Sequence, residues 1–453
     1  MKKVIVALAV IGALFVISIG ASRFNKLASI GSGLKTLEVC NETFLAGRKL
    51  DHILENDFVQ FPDPIKLVKV KIDRLHKEVT GGVGPFGRTK SVYQAGYGCT
   101  IVRGPIADVP PLDPVAGVDW PVASPAEHGF NQTELNDALD RIFEDPLPPH
   151  RAIVIVKNGK LIAERYAPGF DRNMPMLSYS MAKTVSQMMV GVAIKDKYFA
   201  LDDRPLIKEW SGLDDPRREI TWRHLLQMQS GLDFVENTSD RPDKDVNVLL
   251  WNSHSTAQYA IEKPLIHPPG TEWYYSTGTS AILQRGLRIA LEKKGVDYYS
   301  YARDKIFEPL GVSSAVHNVN SAGEFIGGAY IYATARDWAK LGQLFLQGGV
   351  WNGKKILPEG WSEFVSTPAS ASGKQYGAQM WLNYPYEGTD RKALQSLPET
   401  VYSFAGFQGQ LVLVCPTLDM IIVHLGRTPR TDELGPINAA LDLIMPTLRR
   451  SSG

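Results

Sequence analysis

The stretch Leu177-Ser178-Tyr179-Ser180-Met181-Ala182-Lys183-Thr184 sets a serine and a lysine three residues apart where an apolar run begins. Positions three apart share a helix face, so Lys183 can lie beside the Ser180 hydroxyl. A serine hydroxyl is a weak nucleophile until an adjacent base takes its proton. A lysine desolvated by burial loses basicity and can be that base. Met181, Ala182, Val185, Met188, Met189, Val192, Ala193 and Ile194 recur at helical spacing. The first turn of such a helix also favours developing negative charge. Ser32 and Lys35 repeat the spacing, but Gly31 and Gly33 flank that serine, and the segment reads as flexible chain beyond the apolar N-terminus.

Working outward, Ala152–Lys157 and Lys160–Tyr166 read as strands joined by Asn158-Gly159, the strongest short hairpin signal. Thr221 caps a helix predicted through Met228 and stopped by Ser230-Gly231. A polar, irregular section follows to about residue 270. Gln410–Cys415 and Met420–Leu425 form a second hairpin, and an amphipathic helix is predicted over about Asp432–Leu448. A strand pair, then helices, then a late antiparallel set predicts an α+β fold, a three-layer α/β/α sandwich.

The chain has 453 residues and a formal net charge of +1. That length accommodates two or three domains, and the charge balance offers no basic excess for nucleic acid. Lys2 and Lys3 precede an uncharged run from Val4 to Ala21. Its length falls between a secretory signal and a spanning helix, so residues 1–23 are expected to be a signal peptide or an N-terminal membrane anchor. Either predicts export, to the periplasm or to the membrane with the catalytic part outside the cytoplasm; any membrane association would run through this segment. Residues 24–118 are expected to form an accessory region with a short helix around Leu45–Leu54, mixed strands and a Pro-rich linker or wrapping arm. Residues 119–453 are expected to carry the catalytic domain. Cys40 and Cys99 suit a disulfide outside the cytoplasm, the alternative being two buried thiols. Cys415 reads as a small buried hydrophobe in a core strand.

A Ser-Lys pair needs a third group to carry a proton to the leaving group. Pro268, Pro269 and Gly270 set a tight turn before Trp273-Tyr274-Tyr275. Tyr275 is the candidate, since a phenol beside ammonium groups should have a depressed pKa and can shuttle protons. Acyl transfer also needs donors aimed at the developing oxyanion. The Ser180 N–H is one; the stretch Ser403-Phe404-Ala405-Gly406-Phe407-Gln408-Gly409-Gln410 offers a second, its glycines permitting close backbone approach.

Ser180-x-x-Lys183, Tyr275 after a Pro-Gly-Thr turn, and a glycine motif entering a late hairpin together resemble the serine β-lactamase and penicillin-binding superfamily. Within it, the resemblance is to class C β-lactamases, their esterase relatives, D-alanyl-D-alanine carboxypeptidases of that type and 6-aminohexanoate-dimer hydrolases. Ile220–Leu226 with Ser230-Gly231-Leu232, and Gly327-Gly328-Ala329-Tyr330 with Ala335–Gly342, add to it, and it covers about residues 120–445. The resemblance implies a β-lactamase-like antiparallel sheet flanked by helices, with a mostly helical subdomain. It implies that Ser180 is acylated, that Lys183 and Tyr275 move protons, and that the Ser180 and Phe407 N–H groups hold the oxyanion. Gly406, Thr277 and Gln408 complete the implied substrate site. It implies no metal or other cofactor.

Two departures bear on substrate. Thr277 stands where the family often has asparagine. Phe404-Ala405-Gly406 stands where many members have Lys-Thr-Gly or His-Thr-Gly, so the cation that would engage a β-lactam or peptide carboxylate is missing. An arginine such as Arg336 could substitute. The expected function is hydrolysis of a small-molecule ester or amide through an acyl-enzyme on Ser180. The alternatives are a β-lactamase or D-Ala-D-Ala carboxypeptidase, or a non-catalytic membrane-anchored binding protein of the same fold.

Other signals do not hold. Gly82-Val83-Gly84-Pro85-Phe86-Gly87 matches a dinucleotide fingerprint but lacks a preceding strand and a following apolar helix. There is no G-x-S-x-G elbow, and no H-E-x-x-H or paired C-x-x-C.

Overall fold

Asn158 and Gly159 both take positive φ, 51° and 70°, as a two-residue hairpin turn requires. They join β5 (His150–Lys157) to β6 (Lys160–Tyr166). The structure, a computed structural model, describes residues 2–144, 149–236 and 241–448, with side chains from residue 20 onward. The hairpin forms one edge of a six-stranded antiparallel sheet. Its other strands are β7 (Trp381–Leu382), β8 (Tyr402–Gly406), β9 (Gln410–Cys415) and β10 (Met420–Gly426), in the order β7-β8-β9-β10-β5-β6. The early hairpin pairs directly with the last strand: Ile155 lies opposite Ile422 and Val154 opposite Val423.

Central strands buried on both faces read as continuous apolar runs, and alternate residues enter two cores. Val412, Val414 and Phe404 face one core, which includes Trp338 and Leu341 of the helix Ala335–Leu346. Leu411, Leu413 and Ile422 face the other, against Gln132–Ile142 and Gly435–Ile444. These are the three layers. The helical subdomain holds Ala182–Lys195 and Thr277–Lys293, which pack on each other.

The N-terminal part differs from the sequence reading. Helix α1 runs Lys2–Phe44, continuing through the glycines at 31 and 33, and α2 (Leu50–Asn56) follows. A four-stranded antiparallel sheet, β1 (Lys69–Asp73), β2 (Glu78–Val83), β3 (Phe86–Gln94) and β4 (Gly98–Ile101), packs along α1. The segment around Ser32 is therefore not flexible chain: Ser32 is buried, and the Lys35 Nζ donates to the carbonyls of Ile65 and Val68. The helix survives its glycines because neighbours close on them. A Cβ at Gly33 would sit 2.2 Å from the Trp251 carbonyl oxygen. The glycine-rich run 82–87 is the β2–β3 turn, with Gly87 at φ 59° against the backbone of Ala28.

Leu34 and Leu37 of α1 share a core with Leu177, Tyr179, Tyr330 and Tyr332 of the catalytic part. Cys40 and Cys99 are joined in a disulfide that ties α1 to β4, with Cα atoms 6.0 Å apart. The Pro-rich stretch lies along the catalytic part: Ala107 N donates to the Ser321 carbonyl, and Val118 N to the Gly311 carbonyl. Cys415 is buried in β9. Among the described residues no helix is long and apolar enough to cross a membrane. Most of the run Val4 to Ala21 lies among residues whose side chains are outside that description.

Two predicted helices end early. Thr221 caps Trp222–Leu226, and Met228 already has φ 58°. The last helix covers only Gly435–Ile444, then tightens into a 3-10 turn over Met445–Thr447, where Pro446 cannot extend an α-helix.

Candidate active site

Ser180 sits in a 3-10 turn, Tyr179–Met181, that leads into α4 (Ala182–Lys195), where α3 is Gln132–Ile142. Lys183 falls in the first turn of α4 and is 1 % exposed, whereas Ser180 is half-buried. The Lys183 Nζ has three acceptors: Ser180 Oγ at 2.9 Å, Thr277 Oγ1 at 2.9 Å and the Gly328 carbonyl at 2.8 Å. Burial pushes the Lys183 ammonium down to about 8, with the Glu236 carboxylate opposing.

Tyr275 arrives two residues before α5 (Thr277–Lys293), which Ser276 caps by accepting from Thr279 N. Its hydroxyl lies close enough to Ser180 for that serine to favour the phenolate. The expected depressed phenol is corrected: burial and the Glu236 carboxylate push Tyr275 up. Lys183 does not counter this, because its Nζ lies over the ring face, 4.8 Å from the centroid. The outer side of Tyr275 meets Trp381 and Tyr376 at 5.3 and 5.9 Å between ring centres.

Thr277 is buried and addresses the lysine, not the cleft. Its hydroxyl accepts from Lys183 and donates to Glu236 Oε1 at 2.6 Å, while its N–H donates to Glu236 Oε2. Glu236 is itself buried at the α5 N-terminus, where a carboxylate is favoured. Burial raises its pKa, while Lys183 and the two Thr277 bonds oppose. Sequence reasoning missed Glu236, which lies in the irregular section before residue 270. The one available signal was Thr277 itself: a buried hydroxyl that accepts from a lysine must give its own proton to some acceptor.

The glycine stretch reaches the nucleophile. A Cβ on Gly406 would fall 2.1 Å from the Ser178 carbonyl oxygen and 3.2 Å from Ser180 N, so only glycine lets β8 come this close. Phe407 is half-buried, its ring 5.3 Å from that of Tyr179. Gln408 departs from its expected substrate role: its side chain is wholly buried, and Oε1 accepts from Arg427 at 2.6 Å. Phe404 turns into the core against Phe345 and presents nothing to the cleft. Arg336 does not replace the missing cation, because its guanidinium forks onto both carboxylate oxygens of Glu164.

No cluster of three or more metal-ligating side chains occurs among the described residues. Its matches to known proteins make the chain a serine hydrolase. A profile of the β-lactamase family matches residues 139–444, and the chain belongs to that family. It is 23% identical over 309 residues to a 6-aminohexanoate-dimer hydrolase of Paenarthrobacter ureafaciens, across 62% of this chain and 73% of that protein. Among solved structures, one from Bacillus anthracis assigned as a 6-aminohexanoate-dimer hydrolase superposes with TM-score 0.57 at 21% identity, covering 74% of this chain and 89% of that one. A family VIII carboxylesterase superposes with TM-score 0.54 at 13% identity, covering 73% and 100%. At these identities the structural matches speak to the fold.

Proposed function

We propose that this protein hydrolyses a neutral ester or amide through an acyl-enzyme on Ser180. One observation carries the reading: a lysine 1 % exposed, pushed down to about 8, holds its Nζ 2.9 Å from a half-buried serine hydroxyl. As an ammonium, Lys183 satisfies three acceptors. As a neutral amine it keeps donating to Thr277 Oγ1 and the Gly328 carbonyl and turns its lone pair on the Ser180 hydroxyl. Ser180 Oγ then attacks the carbonyl carbon, and its proton passes to Lys183. The carbonyl oxygen gains negative charge in front of the Ser180 and Phe407 N–H groups. Tyr275, kept neutral by its raised pKa, delivers a proton to the leaving alkoxide or amine as the C–O or C–N bond breaks. Water attacks the acyl-enzyme by the reverse relay, releasing the acid and restoring the Ser180 hydroxyl.

Phe404 fills the motif position where a cation would stand and turns into the core, and Arg336 is engaged by Glu164; this favours a neutral substrate over a β-lactam or D-Ala-D-Ala carboxylate. The disulfide between Cys40 and Cys99 supports export. A fluorophosphonate probe tests the reaction: wild type should be labelled, Ser180→Ala should not, and Ser32→Ala should label like wild type. A folded wild type that takes no label ends the acyl-enzyme reading.

A further inference from the structure

Two residues with left-handed backbones flank the amides assigned to the oxyanion. Tyr179, φ 44°, precedes Ser180, and Gln408, φ 59°, follows Phe407. Neither is glycine, and such conformations persist only where the surroundings over-determine them. One guanidinium holds both. The Arg427 Nη1 donates to Gln408 Oε1 at 2.6 Å and to the Tyr179 hydroxyl. That hydroxyl donates to Glu38 Oε1 at 2.7 Å, and Arg427 Nη2 reaches Glu38 Oε2 at 3.3 Å. All four side chains are buried.

Glu38 belongs to α1, outside the residues matched by the family profile. Behind it the same region supplies Glu42, Arg48 and Asp57, which pair among themselves. Asp57 also pairs with Arg151 and lies 3.8 Å from Arg427. Buried charges need such mutual pairing. Losing Glu38 would leave Arg427 short of a partner beside two backbone turns that it fixes.

We propose that Glu38 is a positioning residue for the oxyanion site, acting through Tyr179 and Arg427 to hold the Ser180 and Phe407 amides on one spot. The N-terminal helix then completes the catalytic machinery from behind, not only the fold. This rests on the Ser180 acyl-enzyme reading.

The test uses the full chain. Wild type, Tyr179→Phe, Glu38→Gln and Glu38→Ala are labelled to completion with a fluorophosphonate to count sites. Steady-state rates on p-nitrophenyl acetate are then expressed per site. Removing an oxyanion donor outright costs about 100- to 1000-fold in kcat; misplacing one should cost less. Tyr179→Phe and Glu38→Ala should each lose roughly ten- to a hundredfold in kcat per site, with KM within about twofold. Glu38→Gln, whose amide oxygen still accepts from Tyr179, should recover most of that loss. Lys66→Ala, at an exposed ion pair in the same region, should match wild type. A merely structural role would lower the number of sites and the Tm but leave kcat per site unchanged. If Tyr179→Phe, which keeps every ion pair, turns over at the wild-type rate per site, the proposal is overturned, even should Glu38→Ala fail to fold. A wild type that takes no label would remove the Ser180 reading, and this proposal with it.

Discussion

The Lys183 Nζ faces the centre of the Tyr275 ring, 4.8 Å away, rather than its hydroxyl. That placement separates two roles that a shared ammonium–phenol hydrogen bond would merge. Burial pushes Lys183 down to about 8 and pushes Tyr275 up, so near neutral pH the amine is the accessible base and the phenol remains an acid.

The rate should therefore follow deprotonation of Lys183. Below pH 8 the ammonium dominates, so kcat/KM should rise about tenfold per pH unit and level off above a break near 8. A profile flat from pH 6 to 9 would show that another group is the base.

Glu236 should tune that break. Its carboxylate favours the charged lysine, so Glu236→Gln removes an influence that raises the Lys183 pKa. The break should move to lower pH, while the amide still accepts from Thr277. A shift upward would contradict the Lys183–Thr277–Glu236 connection.

Tyr275→Phe keeps the ring under Lys183 and loses only the proton donor. Turnover should fall by about 100- to 10000-fold, the usual range for a general acid or base, and amides should suffer more than activated esters. The difference follows from the leaving group: an amine must be protonated, whereas p-nitrophenolate need not be. Equal losses on both substrates would place Tyr275 elsewhere in the mechanism.

Gly406→Ala would bring a methyl group within 2.1 Å of the Ser178 carbonyl. Strand β8 must then move away from the nucleophile, and acylation should drop by at least about tenfold with the fold intact by circular dichroism. Labelling at the wild-type rate would show that this close approach is not used.

Breaking the Cys40–Cys99 link frees a loop with a sequence separation of 59. Chain entropy puts the loss at about 4 kcal/mol. Urea unfolding of Cys40→Ala/Cys99→Ala should show it as a lower midpoint, with a slope that rises as the denatured chain expands.

The Ser180–Lys183 pairing was legible because helical spacing alone puts the two side chains on one face. The β5–β6 hairpin was legible because Asn158-Gly159 accepts the positive φ that its turn demands. The turn before Tyr275 points to it, yet the sequence gives its pKa the wrong direction. Order along the chain says nothing about whether an ammonium meets a hydroxyl or a ring face. For Thr277 and Gln408 the sequence indicates the site but not the neighbours, since a side chain near a reacting group can serve the cleft or the wall behind it. Glu236 and Glu38 carried no motif, and the glycines near Ser32 hid a helix that only tertiary packing sustains.

What the sequence determined by itself was local: periodicity, turns, and the spacing that brings a nucleophile to its base. What the tertiary structure decided was which charges share a buried space. Glu236 acts on Lys183 through Thr277 across 53 positions of chain, and Glu38 meets Arg427 across 389. Electrostatics in a dry interior depends on distance in space, and no local pattern encodes that distance.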